Sequence, residues 1–123
     1  MTVKTAGPRD AEYLISEANG RRSRDRIILS TAARVEPGTV LGRLANGKYV
    51  VFDEDASTGA EEAHGILYAG AGAAAESAVD VDAVAHVRDC EIQSAALIWP
   101  ESAEAGDKTA ALAELKALGI IAR

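Results

Sequence analysis

The sequence predicts a small, mainly β domain with one helix near its C-terminus, and three observations carry that prediction. Short runs rich in Val, Ile and Leu recur between Gly, Pro, Asn and Asp, the punctuation of strands and turns. Val79, Val81, Ala83, Ala85 and Val87 alternate with Asp80, Asp82, Val84 and His86, which is the two-residue period of a half-solvated strand. Leu112, Leu115 and Leu118 then recur at every third position, a spacing that gathers side chains on one face of a helix.

Residues 1–26 are polar, carry Gly7, Pro8 and Gly20, and show little periodicity. Their one apolar cluster is Tyr13-Leu14-Ile15. Such a segment buries too little to offset its ordering entropy. The sequence therefore predicts a flexible N-terminal arm over 1–26 and a single β-rich domain over 27–123. β-type structure begins at Ile27-Ile28-Leu29, Pro37-Gly38 marks a turn, and Thr39 to Leu44 reads as a strand. Asn46-Gly47 signals a two-residue hairpin into Lys48 to Phe52, because both residues tolerate the positive φ of such a turn. Asp53 to Glu62 is an acidic loop, His64 to Ala69 a strand, and Gly70 to Ser77 a loop of small residues.

After the alternating strand from Val79 to Val87, a further strand covers Glu91 to Trp99. Pro100 ends it, having no N–H to give to a ladder. The helix is expected over 108–118, with Asp107 as N-cap and Gly119 as C-cap. Ile120-Ile121 adds a short strand beyond it.

At 123 residues the chain fits one domain with a thin core. The hydrophobic fraction is 48%, but 26 of those residues are Ala, which bury little area each. A subunit so short of large apolar side chains gains from self-association. The net charge of −6 is unevenly spread: residues 1–30 hold six Lys/Arg against four Asp/Glu, and the rest hold seven against fifteen. That acidic body argues against a nucleic-acid surface. The exception, Arg21, Arg22, Arg24 and Arg26, is short and lacks the aromatic platforms of single-strand binders. A single cysteine, Cys90, excludes an intrachain disulfide and fits a reducing compartment. No apolar run approaches the ~20 residues that span a bilayer, so no membrane partner is expected.

No motif with catalytic chemistry survives inspection. Gly70-Ala71-Gly72-Ala73-Ala74-Ala75 imitates a dinucleotide fingerprint, yet the alternating strand follows too soon for the phosphate-binding helix that motif requires. Asp53, Asp55, Ser57 and Glu61 fail as a calcium loop, because the sixth and twelfth positions hold Thr58 and His64. Cys90 sits between Asp89 and Glu91, whose charges disfavour a thiolate. His64, His86 and Cys90 match no standard zinc spacing. The expectation is no catalytic residue, no cofactor and no metal.

One set of segments says more. In order they are Glu12-Tyr13-Leu14-Ile15-Ser16-Glu17, Ser23-Arg24-Asp25, the strand from Gly38, Gly47 to Asp53, Gly65-Ile66-Leu67-Tyr68, Val87-Arg88-Asp89 and Trp99-Pro100-Glu101. With the helix running into Leu118-Gly119-Ile120-Ile121, this collinear set resembles the lambda-type bacteriophage head decoration (capsid cement) proteins. No single piece is specific, but the set runs through most of the chain. The resemblance implies a β-clip-like or β-sandwich-like domain that forms homotrimers. These bind the phage major capsid protein at local three-fold sites outside the expanded shell and stabilise it against the pressure of packaged DNA. The location implied is the outer surface of the virion, with the host cytoplasm before assembly.

The family's arm orders against the major capsid protein, which makes Tyr13, Leu14, Ile15, Arg21, Arg22 and Arg24 the candidate capsid-binding residues. Trp99 and Pro100 are expected to pack near the trimer contact. On this reading, deletion of residues 1–20 leaves the trimer intact and abolishes shell binding. Two alternatives remain: a cellular β-rich oligomeric binding module with no enzymatic activity, and a small enzyme using His64, His86 or Cys90.

Overall fold

The alternating segment at Val79 forms the longest ladder of the fold. In the computed structural model, which describes residues 8–123, β6 (Val79–His86) runs antiparallel to β2 (Arg24–Thr31), in register from Thr31↔Val79 to Arg24↔His86. Ile27 and Leu29 face inward together with Val81, Ala83 and Ala85, while Arg26, Asp80 and Asp82 face water. Three shorter strands close this ribbon into a barrel: β3 (Val40–Arg43), β4 (Tyr49–Val51) and β5 (Ala63–Leu67), in the order β2-β4-β3-β5-β6. The small Ala side chains of β6 suit the narrow interior of a five-stranded barrel.

A second sheet stands beside the barrel. It contains β1 (Leu14–Glu17), β7 (Cys90–Ile92) and β8 (Ile120–Ala122), with β7 in the middle. The helix α1 (Ala105–Ala117) buries Ala111 and Leu115 between this sheet and β5. Tyr13, Phe52, Ile66, Ile92, Leu115 and Ile120 fill the space they enclose and form the larger of two apolar cores. Mainly β with a single C-terminal helix is thus the observed class. Among the described residues no helix is long and apolar enough to cross a membrane.

Several boundaries differ from the sequence expectation, each for a local reason. The β3–β4 connection is a three-residue loop rather than a two-residue one. The amide of Gly47 donates to Leu44 at 2.9 Å, that of Leu44 donates to Lys48 at 2.8 Å, and Gly47 takes φ +89°. That is a turn closed by a left-handed glycine, another of the short hairpin solutions. The strand expected over Glu91 to Trp99 stops at Ile92. Ser94–Ala96 forms a 3-10 turn, where small residues offer no β-branched surface to pack against a neighbour.

The helix starts at Ala105, not 108, so Asp107 lies within the first turn instead of capping it. Its carboxylate accepts from the Glu104 amide at 3.0 Å, which serves the same orphaned end of the helix. Gly119 follows the helix with φ +87°, and β8 forms where Ile120-Ile121 predicted it.

The acidic loop from Asp53 to Glu62 folds back onto the barrel. Its ends close through the Asp53 amide donating to Ala60 at 2.9 Å. Two glycines admit this approach. A Cβ on Gly42 would lie 2.6 Å from the Ala60 Cα, and one on Gly59, at φ +110°, would lie 2.2 Å from the Arg43 carbonyl oxygen.

Candidate functional site

The residues between 9 and 26 converge on one place, where the second sheet is strapped to the barrel. The chain enters through a tight turn: the Leu14 amide donates to Ala11 and the Ala11 amide donates to Tyr68, both at 2.9 Å. Ala11 takes φ +54°, a conformation a non-glycine residue adopts at a cost. The turn drives Tyr13 into the larger core, where only 1% of its surface remains exposed. β1 then pairs antiparallel with β7, and its other edge is free of any strand among the described residues.

Residues 14–17 and 24–26 therefore lie in strands here, within the stretch the sequence assigned to a flexible arm; residues 1–7 of that arm lie outside the described residues.

A buried polar chain fastens this strap. Glu17 can only accept, so Nε2 of His86, at 2.6 Å from its Oε2, carries the proton. Nδ1 of the same neutral ring is then left to accept from the Tyr13 hydroxyl. Arg24 completes the chain with a forked contact to Glu17, its Nε at 3.0 Å and a terminal nitrogen at 2.5 Å. Arg24 also lies 4.3 Å from the centre of the Tyr68 ring, a cation–π contact that fixes the guanidinium plane. Ser23, fully buried, ties the intervening turn by donating to the Asp89 carbonyl at 2.7 Å and accepting from the Ala18 amide at 2.9 Å.

The electrostatics follow from burial. Burial raises the Tyr13 hydroxyl well above its ordinary range, which keeps it a proton donor. Hydrogen bonding from Arg24 lowers the Glu17 carboxyl, and a weaker contribution from His86 acts the same way. Burial lowers His86 below its ordinary 6.5, against the pull of Glu17. Both depressed groups make stability fall with acidification. The unfolded chain takes up the His86 proton first, so its contribution is whole above pH 6.5 and is lost as pH drops towards the lower folded value. Glu17 adds a second loss below its ordinary 4.5.

The unfolding midpoint is expected to fall between about pH 7.5 and 5, and His86→Gln is expected to flatten that slope. An unchanged slope in the variant, followed by circular dichroism melts, would contradict this assignment.

The chain brings together only part of the sequence-predicted set. Tyr13 is core, and Leu14 packs against the same cluster. Ile15 is the exposed member of the trio, at 46%. Arg21 and Arg22 are exposed, whereas Arg24 is committed to Glu17. Trp99 is half-buried at the rim of the core and sets its ring edge-on to Phe52 at 5.8 Å, and Pro100 beside it in sequence is half-buried.

Glu17, Tyr68 and His86 were not singled out by sequence for this role. Sixty-nine positions separate Glu17 from His86, and the Arg24↔His86 and Glu17↔Cys90 registers bring them together. His64 lies at the surface 3.7 Å from Glu62. Cys90 is buried, with its thiol pushed up to about 11 by burial first and by Glu17 and Asp89 next. Among the described residues no group of three or more His, Cys, Asp or Glu is placed to hold a metal ion. Gly70 to Ser77 leads into β6 with no helix between.

The family model described as "Bacteriophage lambda head decoration protein D" matches residues 3–120. No curated protein matches the chain.

Proposed function

We infer the function from one premise: this chain belongs to the bacteriophage lambda head decoration protein D family. Its role is accordingly structural, as a decoration protein of a phage head. The observation that carries this reading is a match spanning nearly the whole chain, on a mainly β body with one C-terminal helix. We propose further that it assembles as homotrimers on the outside of the expanded capsid, at local three-fold sites. There it binds the major capsid protein and holds the shell against packaged DNA. A chain this rich in Ala supports self-association, since it offers few large apolar side chains to bury within one subunit.

Attachment is assigned to the segment ahead of Tyr13, continued by the edge of β1 that no strand among the described residues covers, where Ile15 is exposed. A strand of the capsid protein adding to this segment supplies backbone hydrogen bonds, and three such segments per trimer act through avidity. The burial of Tyr13 changes the truncation that tests this. Deleting residues 1–20 removes Tyr13 and Glu17 and with them part of the core and the strap, so the informative deletion ends at Pro8.

The protein, intact or lacking 1–8, is mixed with unexpanded and expanded shells of its phage and sedimented. Intact protein is expected to bind expanded shells selectively. The truncated form is expected to keep its unfolding midpoint and lose binding. Full binding by the truncated form would sink the arm, and indifference of the intact protein to shell state would sink the decoration role.

A further inference from the structure

Beside the entry of the N-terminal segment lies a cavity of about 330 Å³, walled by Arg21, Arg24, Asp25, Arg26, Tyr68 and Val84. Its charges are not equivalent. Arg24 is held by Glu17 and stacked on Tyr68, which makes it a wall. Asp25 is held in a forked contact by Arg88 at 2.7 and 3.1 Å, which offsets its charge. Arg21 and Arg26 remain exposed, with no ion pair to either among the described residues. These two guanidinium groups thus line a recess together with Tyr68 and the branched side chain of Val84.

We propose that this cleft receives a carboxylate-bearing side chain of the capsid protein, as a second attachment point next to the arm. The proposal rests on the decoration reading above and adds the chemistry of the partner. Guanidinium forks match a carboxylate in plane and spacing. Val84 and the Tyr68 side chain in the lining accommodate the methylenes of Glu better than a hydrated phosphate. Position favours the same partner, because the Ala11 amide bonds the backbone carbonyl of Tyr68, whose residue also lines the cavity. Elsewhere the chain is acidic, with fifteen Asp/Glu against seven Lys/Arg after residue 30, and an acidic patch of the shell meets repulsion there.

The test uses the full-length protein and expanded shells, with sedimentation over a range of salt. Arg21→Glu/Arg26→Glu is expected to weaken shell binding at least about tenfold at low salt and to flatten its salt dependence. Its melting profile and hydrodynamic size should match the parent, since both side chains are exposed. Poly-L-glutamate is expected to compete with the shells for the parent protein, and duplex DNA of equal charge is not. Parent-like binding by the charge-reversed protein overturns the cleft and leaves the decoration reading standing. Competition by DNA as strong as by polyglutamate also overturns it, in favour of a general anion patch. Intact protein that ignores expanded shells overturns both readings at once.

Discussion

Tyr13→Ala is expected to lower the free energy of unfolding by about 3–5 kcal/mol, the range for truncating a buried aromatic side chain. Tyr13 is 1% exposed and stands in the larger core beside the 85° edge contact of its ring with His86. Removing it empties the space under β1 and also strips His86 of its Nδ1 partner. Tyr13→Phe separates the two effects. It keeps the ring but leaves a buried imidazole nitrogen unsatisfied, at a cost of about 1–3 kcal/mol. Urea unfolding at one fixed protein concentration measures both, so that any self-association enters equally. A loss below about 1 kcal/mol for Tyr13→Ala would show that the strap does not anchor the fold.

Gly59→Ala is the second large effect. The new Cβ would stand 2.2 Å from the Arg43 carbonyl oxygen at a φ of +110°, so the substitution combines overlap with a strained backbone. Each is worth about 1–3 kcal/mol, and neither relaxes without moving the other. The acidic loop must lift from β3, which should break the bond from the Asp53 amide to Ala60. Hydrogen exchange at Asp53 then rises out of proportion to the global change in stability. Gly20→Ala is the control, because Gly20 also has positive φ, +68°, but nothing within 4 Å. It is expected to cost only about 1–2 kcal/mol. Equal costs at the two positions would mean that the loop yields freely.

What is legible in the residues and what is not divides along a physical line. Elements with a strong local signal are legible: β6 from its alternation, α1 from its leucines, and the presence of the β3–β4 turn, though not its three-residue length, from Asn46-Gly47. What stayed hidden depends on partners far apart in the chain. Polar composition argued for a loose segment through residue 26, because Glu17, Ser23 and Arg24 look like solvated residues when read alone. Glu17 and Ser23 instead find specific partners across the fold, in His86 and Asp89, and Arg24 closes on Glu17 seven residues before it. Barrel closure was hidden for the same reason. The β2–β4 contact is a single parallel pairing, Leu29↔Tyr49, and no local pattern encodes it. Family membership was carried by collinear short segments, each uninformative by itself.

One feature of the second sheet bears on when the molecule becomes native. Its middle strand, only Cys90–Ile92, pairs with Leu14–Glu17 on one side and Ile120–Ala122 on the other. Arg123 bonds back to the same region, its amide donating to Ile92 at 2.8 Å and its carbonyl accepting from Ser94 at 3.2 Å. Segments near opposite ends of the chain therefore meet on a strand three residues long. Such long-range closure is slow and waits for distant parts of the chain to be present. During synthesis the strand at Leu14 emerges early, but its sheet lacks one edge until the residues at Ile120 have left the ribosome. Translation thus keeps time for the fold: a chain stopped short of Ile120 leaves β7 with one neighbour instead of two.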